Sequence, residues 1–297
     1  MTQDRVVKVA AVQIACSWDC QDNLNKLEKM IRAAAADGAQ VILLQELFES
    51  PYFCIEIKLE HLGLATALKD NPSIKWLQAL CAELAVVIPF SWYEKAGNVL
   101  FNSVAMVDAD GEILGTYRKT HIPDSDGYLE KYYFSPGDTG FKVWNTRYAK
   151  IGVGICWDQW FPETARSMSL AGAELLLYPT AIGSEPKEPE LDSMPHWRRT
   201  MQGHAAANQV PVIAANRVGK ESAETNTNVI DFYGSSFITD HQGEIQVSAD
   251  RQSETYITHS LNLSAAQRDR HVWGLYRDRR PEHYSALQHL DVSDQGE

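Results

Sequence analysis

The chain has 297 residues, 44% apolar and 22% charged, an ordinary globular composition that excludes disorder as its main state. With 27 Lys and Arg against 39 Asp and Glu, the formal charge of −12 disfavours nucleic acid as a partner and suits a neutral or cationic small ligand. The five cysteines (Cys16, Cys20, Cys54, Cys81, Cys156) form neither a CxxC pair nor a zinc-type spacing, so a reduced, cytoplasmic protein without a metal site is expected.

In chain order, the β-branched run Val6 to Ile14 predicts a strand and Asp22 to Ala36 a helix, stopped at Gly38. The residues before the strand lack the apolar core of a secretory signal, and no apolar run is long enough for a membrane span, so no membrane association is expected. Val41 to Leu44 is a short, wholly apolar run of the kind buried on both faces of a sheet. Asn71-Pro72-Ser73 opens a helix to about Leu84. Ala85 to Trp92, Phe101 to Val107 and Ile113 to Tyr117 follow as strands, the last two joined by a turn at Asp108 to Gly111.

The second half repeats the alternation. Lys150 to Ile155 predicts a strand, Phe161 to Ala171 a helix, Glu174 to Tyr178 a strand and His196 to Gln209 a helix. Val212 to Ala215 and Ser235 to Thr239 predict further strands, with a second turn at Asp240 to Gly243 before Glu244 to Val247. Ser184 to Ser193 and Lys220 to Asn228 are expected as loops, and the stretch after about Gln267 as an irregular, Arg- and aromatic-rich arm. No repeat stands out, and one continuous α/β domain is expected.

Three residues stand where strands end. Cys156 follows the strand at Lys150 to Ile155 and precedes a helix, a position that exposes a nucleophile at the carboxyl edge of a sheet, where a helix N-terminus would favour the thiolate. The other reading of Cys156 is a small buried core residue. No histidine completes a Cys/His signature, so the base must be sought elsewhere. Glu46, directly after Val41 to Leu44, is expected to be half-buried with a raised pKa, able to move a proton near neutrality. Lys119, after the strand ending at Tyr117, offers a fixed cation to a developing oxyanion.

Together, Glu46 in QELFESPYF, Lys119 in YRKTHIPD and Cys156 in GVGICWDQWFPE resemble the Glu-Lys-Cys triad of the nitrilase, or carbon–nitrogen hydrolase, superfamily. The likeness runs from AAVQ near the N-terminus through AANRVG and the turn at Asp240 to the C-terminal arm. It implies an α/β fold, a nitrilase-like α-β-β-α sandwich, as a single domain over residues 1–297 with an arm from about 267. It also implies association into a homo-oligomer, dimer-based and possibly larger, and no metal or organic cofactor. The activity implied is amide-type hydrolysis, with Glu46 taking the thiol proton, Cys156 attacking a carbonyl carbon, and Lys119 with the backbone N–H of Trp157 holding the oxyanion.

Further residues follow from the same resemblance. Glu130 matches a second glutamate near the triad; it orients Lys119 or touches substrate, unless it is a solvated loop residue paired with Lys131. The loop IGSEP places Glu185 where an acidic residue would face the ammonium of a cationic carbamoyl amine substrate; the alternative is an exposed glutamate beside Lys187 and Glu188. Tyr52 lines the same pocket or is a packed aromatic. A substrate carboxylate would instead need an arginine, for which Arg198, Arg199 and Arg217 are candidates. Within the superfamily another carbamoyl amine or amide is the alternative substrate, and a non-catalytic scaffold is the alternative from another class.

Overall fold

A computed structural model describes residues 4–291 and 293. Strand β1 (Val6–Gln13) leads into helix α1 (Cys20–Ala36), which begins before the expected Asp22 because the Asp19 carboxylate accepts from the N–H groups of Gln21 and Asp22. Next come β2 (Val41–Leu43), α2 (Pro72–Leu84), β3 (Ile88–Ala96), β4 (Val99–Val107), β5 (Ile113–Arg118) and the single turn α3 (Glu130–Tyr133). The second half runs through β6 (Val143–Asn145), β7 (Lys150–Val153), α4 (Pro162–Leu170), β8 (Leu175–Pro179), α5 (Met194–Asn208) and β9 (Val212–Ala215). It ends with β10 (Val218–Ser222), β11 (Val229–Tyr233), β12 (Phe237–Thr239), β13 (Ile245–Ser248), β14 (Thr255–Asn262) and α6 (Leu263–Trp273).

The strands form two six-stranded sheets. One has the order β14-β1-β2-β3-β4-β5, its two parts joined where Ile42 N–H donates to Val87 O and Val87 N–H to Gln40 O, both at 2.9 Å. The other has the order β13-β12-β9-β8-β7-β6. The strand side chains divide between two cores, as period-two alternation requires. Val9 and Ala11 join Leu43, Ile151, Val153 and Leu177 between the sheets, while Ala10 and Val12 face Leu27, Ile31 and Leu77 of α1 and α2. On the far side, Leu176 and Val212 meet Trp197 and Met201 of α5. The layers are therefore α-β-β-α, as expected.

The two sheets are related by an internal two-fold repeat that the sequence alone did not reveal. β1-α1-β2-α2-β3-β4-β5 corresponds, element for element, to β7-α4-β8-α5-β9-β12-β13. The correspondence extends to atoms at the two turns. Gly111 (φ +83°) after β4 lies against α2, where Gln78 donates its amide to Gly111 O at 2.7 Å. Gly243 (φ +90°) after β12 lies against α5, where Gln202 donates to Gly243 O at 2.8 Å. In each, a Cβ would stand 2.6 Å from the glutamine's own backbone oxygen, so only glycine fits.

Two expectations are corrected. The stretch Lys220 to Asn228 is not wholly a loop: its first residues belong to β10, which pairs with β11 in a separate hairpin, and β6, β11 and β14 were not foreseen. These strands are short or carry polar residues on both faces, so pairing rather than patterning defines them. The arm is not irregular from Gln267, because α6 runs through to Trp273, capped by Asn262 and ended at Gly274. Only Leu263 and Ala266 are buried along it, too narrow a stripe to read from sequence.

Gly111→Ala and Gly243→Ala should each lower stability by about 1–3 kcal/mol, since each forces a side chain into a left-handed, blocked position. Urea denaturation measures this directly; the repeat predicts similar midpoint shifts in both variants.

Candidate active site

The carboxyl ends of the central strands converge where the two sheets meet. Glu46, three residues past β2, donates its N–H to the carbonyl of Thr180, just past β8, at 3.4 Å. Lys119 directly follows β5, and its N–H is held by Asn102 O at 2.8 Å. Cys156 stands three residues past β7. Open α/β sheets collect functional side chains at such ends because the strands stop there and the loops diverge.

The Lys119 ammonium is completely buried, and it lies between two carboxylates. It donates to Glu46 Oε1 at 2.9 Å and to Glu130 Oε2 at 2.6 Å. Burial alone would push this ammonium toward neutrality, but Glu130 and Glu46 together hold its pKa well above the usual lysine value. Glu130, the first residue of α3, also accepts from the Tyr52 hydroxyl at 2.6 Å, and burial pushes it up to about 7. Glu130 is thus neither solvated nor paired with Lys131. Glu46 is fully rather than half buried; its Oε1 also accepts from Asn102 Nδ2 at 2.6 Å, while Oε2 has no protein partner.

Cys156 begins a 3-10 turn, Cys156–Trp160, with φ +40°, and its Sγ lies 3.7 Å from Ala181 O. The expectation of a thiolate favoured by a helix N-terminus is overturned. The 3-10 turn separates Cys156 from α4, and burial followed by the charge of Glu46 raises the thiol well above its usual range, with only Lys119 opposing. The sulfur rests as a thiol with a carboxylate in electrostatic reach, an arrangement suited to proton removal during attack. Trp157, the next residue, lies in the first turn, where N–H groups lack intrahelical partners and remain free to meet an anion; its side chain is 38% exposed.

Tyr52 is buried among Phe53, Tyr128 and Phe232 and reaches the cluster through Glu130. Glu185 is half-buried, and no cation pairs with it among the described residues; Lys187 pairs with Asp126 instead. Burial, then Glu188, raises its carboxyl pKa. The buried Tyr128 hydroxyl, which donates to Ser184 O at 3.2 Å, lies within electrostatic range of both Glu185 and Cys156. A larger cleft, about 440 Å³ and bounded by Lys150, Glu174, Arg270 and His271, contains none of these residues.

Two site-building residues went unassigned in the sequence, and a third has a different role from the one weighed for it. Asn102, a polar residue inside the apolar strand β4, was visible as an anomaly but not as a partner of Glu46. Asp158 accepts from Ile155 N–H at 2.9 Å, His121 N–H at 3.0 Å and the Tyr117 hydroxyl at 2.7 Å, tying the Cys156 turn to the Lys119 loop. Arg217, weighed as a reader of a substrate carboxylate, is unavailable for that role. It is fully buried and donates to Glu46 O at 2.9 Å, Leu47 O at 3.0 Å and Glu221 Oε1 at 2.8 Å, pinning the turn in which Leu47 adopts φ +50°. Arg198 and Arg199 bond the carbonyls of Ser235 and Pro195, not acids.

Because the Glu46 charge helps hold the thiol protonated, Glu46→Gln should move the pH profile of Cys156 alkylation to lower pH. Removing an anion lowers the pKa of a neighbouring acid. A rate-versus-pH series with a small alkylating reagent measures it, and an unmoved or upward-shifted profile would contradict this electrostatic account.

The carbon–nitrogen hydrolase family model matches residues 8–271. The chain is 54% identical over 293 residues to an N-carbamoylputrescine amidase from Solanum lycopersicum, covering 98% of each chain. It is 52% identical over 281 residues to a citrullinase from Francisella tularensis, covering 95% of this chain and 98% of the relative. A solved carbon–nitrogen hydrolase from Helicobacter pylori superposes with a TM-score of 0.90 at 33% identity, over 97% of this chain and all of the other. The clustered carboxylates, lysine and cysteine thus stand in a chain that belongs to the carbon–nitrogen hydrolase family.

Proposed function

We propose that the chain hydrolyses N-carbamoylputrescine to putrescine, ammonia and carbon dioxide, feeding polyamine synthesis, with Glu46, Lys119 and Cys156 as its catalytic residues. The observation that carries the chemistry is the buried Lys119 ammonium, fixed between two carboxylates in electrostatic reach of a buried thiol. The substrate assignment draws on the amidase relative at 54% identity and on Glu185, a half-buried carboxylate without a cationic partner. The β-ureidopropionase-like alternative wants a free arginine for a carboxylate, and Arg217 is committed elsewhere. A scaffold role leaves unexplained the burial of so many ionisable groups at one place.

In this mechanism Glu46 takes the Sγ proton as the sulfur bonds to the ureido carbonyl carbon. Lys119 and the Trp157 N–H hold the oxyanion, worth several kcal/mol in a water-poor site. Glu46 then returns the proton to the departing nitrogen of putrescine as the carbon–nitrogen bond breaks, leaving a carbamoyl group on Cys156. Water, deprotonated by Glu46, releases carbamate, which falls apart to ammonia and carbon dioxide. Glu130 acts through Lys119 and Tyr52 as a positioning residue, and Glu185 meets the far ammonium of the substrate.

Five free cysteines fit a reducing, cytoplasmic location, and no helix among the described residues is long and apolar enough to cross a membrane. Exposed Val272, Trp273 and Leu287 on the C-terminal arm support self-association into a homo-oligomer built from dimers, which sedimentation velocity would measure.

Ammonia release from N-carbamoylputrescine, compared with 3-ureidopropionate and a simple aliphatic amide, tests the assignment. Cys156→Ala and Glu46→Gln should each lower kcat by at least about a thousandfold. Glu185→Gln should raise KM for the cationic substrate by about tenfold or more while sparing uncharged amides, the loss of one charge-assisted contact. Equal rates on all three substrates would remove Glu185 as the ammonium reader.

A further inference from the structure

Citrulline and N-carbamoylputrescine share the ureido group and carry an ammonium at the same distance along a four-carbon chain. They differ only in a carboxylate on the carbon that bears the ammonium. Relatives acting on either compound are about equally similar to this chain, so the choice must lie with whatever meets that carboxylate.

A cleft of about 420 Å³ is lined by Ser184, Asp192, Asp231, Tyr233 and Arg251. Ser184 lies three residues beyond Ala181, whose carbonyl meets Cys156 Sγ at 3.7 Å. Three residues span at most about 10 Å, and an extended substrate places its ammonium about 7 Å from the ureido carbon, so this cleft lies within reach of the far end of a substrate held at Cys156. Tyr233 lines the cleft: its hydroxyl meets Ser193 Oγ at 3.1 Å and lies within electrostatic range of Cys156, Asp192 and Arg251.

Arg251 is the arginine that lines this cleft, and it is engaged. Its Nη1 and Nη2 donate to the two Asp192 oxygens at 3.0 and 3.2 Å, and its guanidinium lies 5.1 Å over the Tyr233 ring. Asp192 in turn accepts from Met194 N–H at 3.2 Å at the start of α5, which fixes the carboxylate. With its two terminal nitrogens engaged and its charge neutralised by Asp192, and with Asp231 lining the same cleft, the Arg251 fork offers an incoming α-carboxylate no net positive charge.

With the hydrolysis proposed above as its basis, we infer that Asp192 is a specificity-determining residue: by engaging Arg251 it excludes α-carboxylated ureides such as citrulline and keeps the site for the decarboxylated amine. Asp192→Asn removes the charge, keeps an oxygen to accept from Met194 N–H, and frees the Arg251 fork for the substrate carboxylate.

The experiment compares kcat/KM for citrulline and N-carbamoylputrescine in wild type, Asp192→Asn and the double variant Asp192→Asn/Arg251→Gln. The wild type should prefer N-carbamoylputrescine. The citrulline to N-carbamoylputrescine ratio should rise by about tenfold or more in Asp192→Asn, the scale of a charge-assisted contact, and fall back in the double variant. An unchanged ratio in Asp192→Asn, or a rise that survives loss of Arg251, overturns the inference while leaving the hydrolysis intact. A wild type inactive on N-carbamoylputrescine overturns the hydrolysis itself.

Discussion

The buried ammonium of Lys119 is the constraint on which the rest of the site depends. Taking a charge out of water costs several kcal/mol unless partners surround it, and here two carboxylates and their own donors do so. Glu130 is steadied by Tyr52, Glu46 by Asn102, and the backbone around Glu46 by Arg217, itself neutralised by Glu221. Removing any member exposes another buried charge, which is why so many polar side chains are gathered in a region the sequence patterns as apolar. Asp158 ties the nucleophile turn to the same assembly through Tyr117 and the His121 N–H.

This arrangement sets the chemical state of the sulfur. A surface cysteine near a helix N-terminus would sit partly as thiolate; Cys156 lies buried within electrostatic range of Glu46, and both push its thiol pKa up. A thiol held protonated reacts more slowly with electrophiles than a thiolate does, because the thiolate is the nucleophilic form.

The internal repeat explains how a chain of this length produces such a place. Two similar units, each a strand-helix-strand-helix-strand followed by a hairpin, lay their sheets face to face and bring the ends of their central strands together. The contact between Glu46 N–H and Thr180 O joins one unit to the other at that meeting point. The units differ where they matter: Glu46 and Lys119 come from the first, Cys156 and Arg217 from the second, so neither alone would hold the cluster.

Strand and helix alternation, the two glycine turns and the location of Glu46, Lys119 and Cys156 at strand ends were legible in the sequence by itself, because periodicity and turn chemistry act over a few neighbouring residues. The short strands β10 and β11 and the polar β14 were not, since pairing rather than composition makes them strands. The likeness to the family put Glu130 near Lys119, but sequence alone could not tell that Arg217 turns inward to hold Glu46 and Leu47, that Arg251 is engaged by Asp192 while Glu185 is left unpaired, or that burial and Glu46 push the Cys156 thiol pKa up. Those facts depend on contacts between residues far apart in the chain and on their removal from water. Only the closing of one sheet over the other determines them.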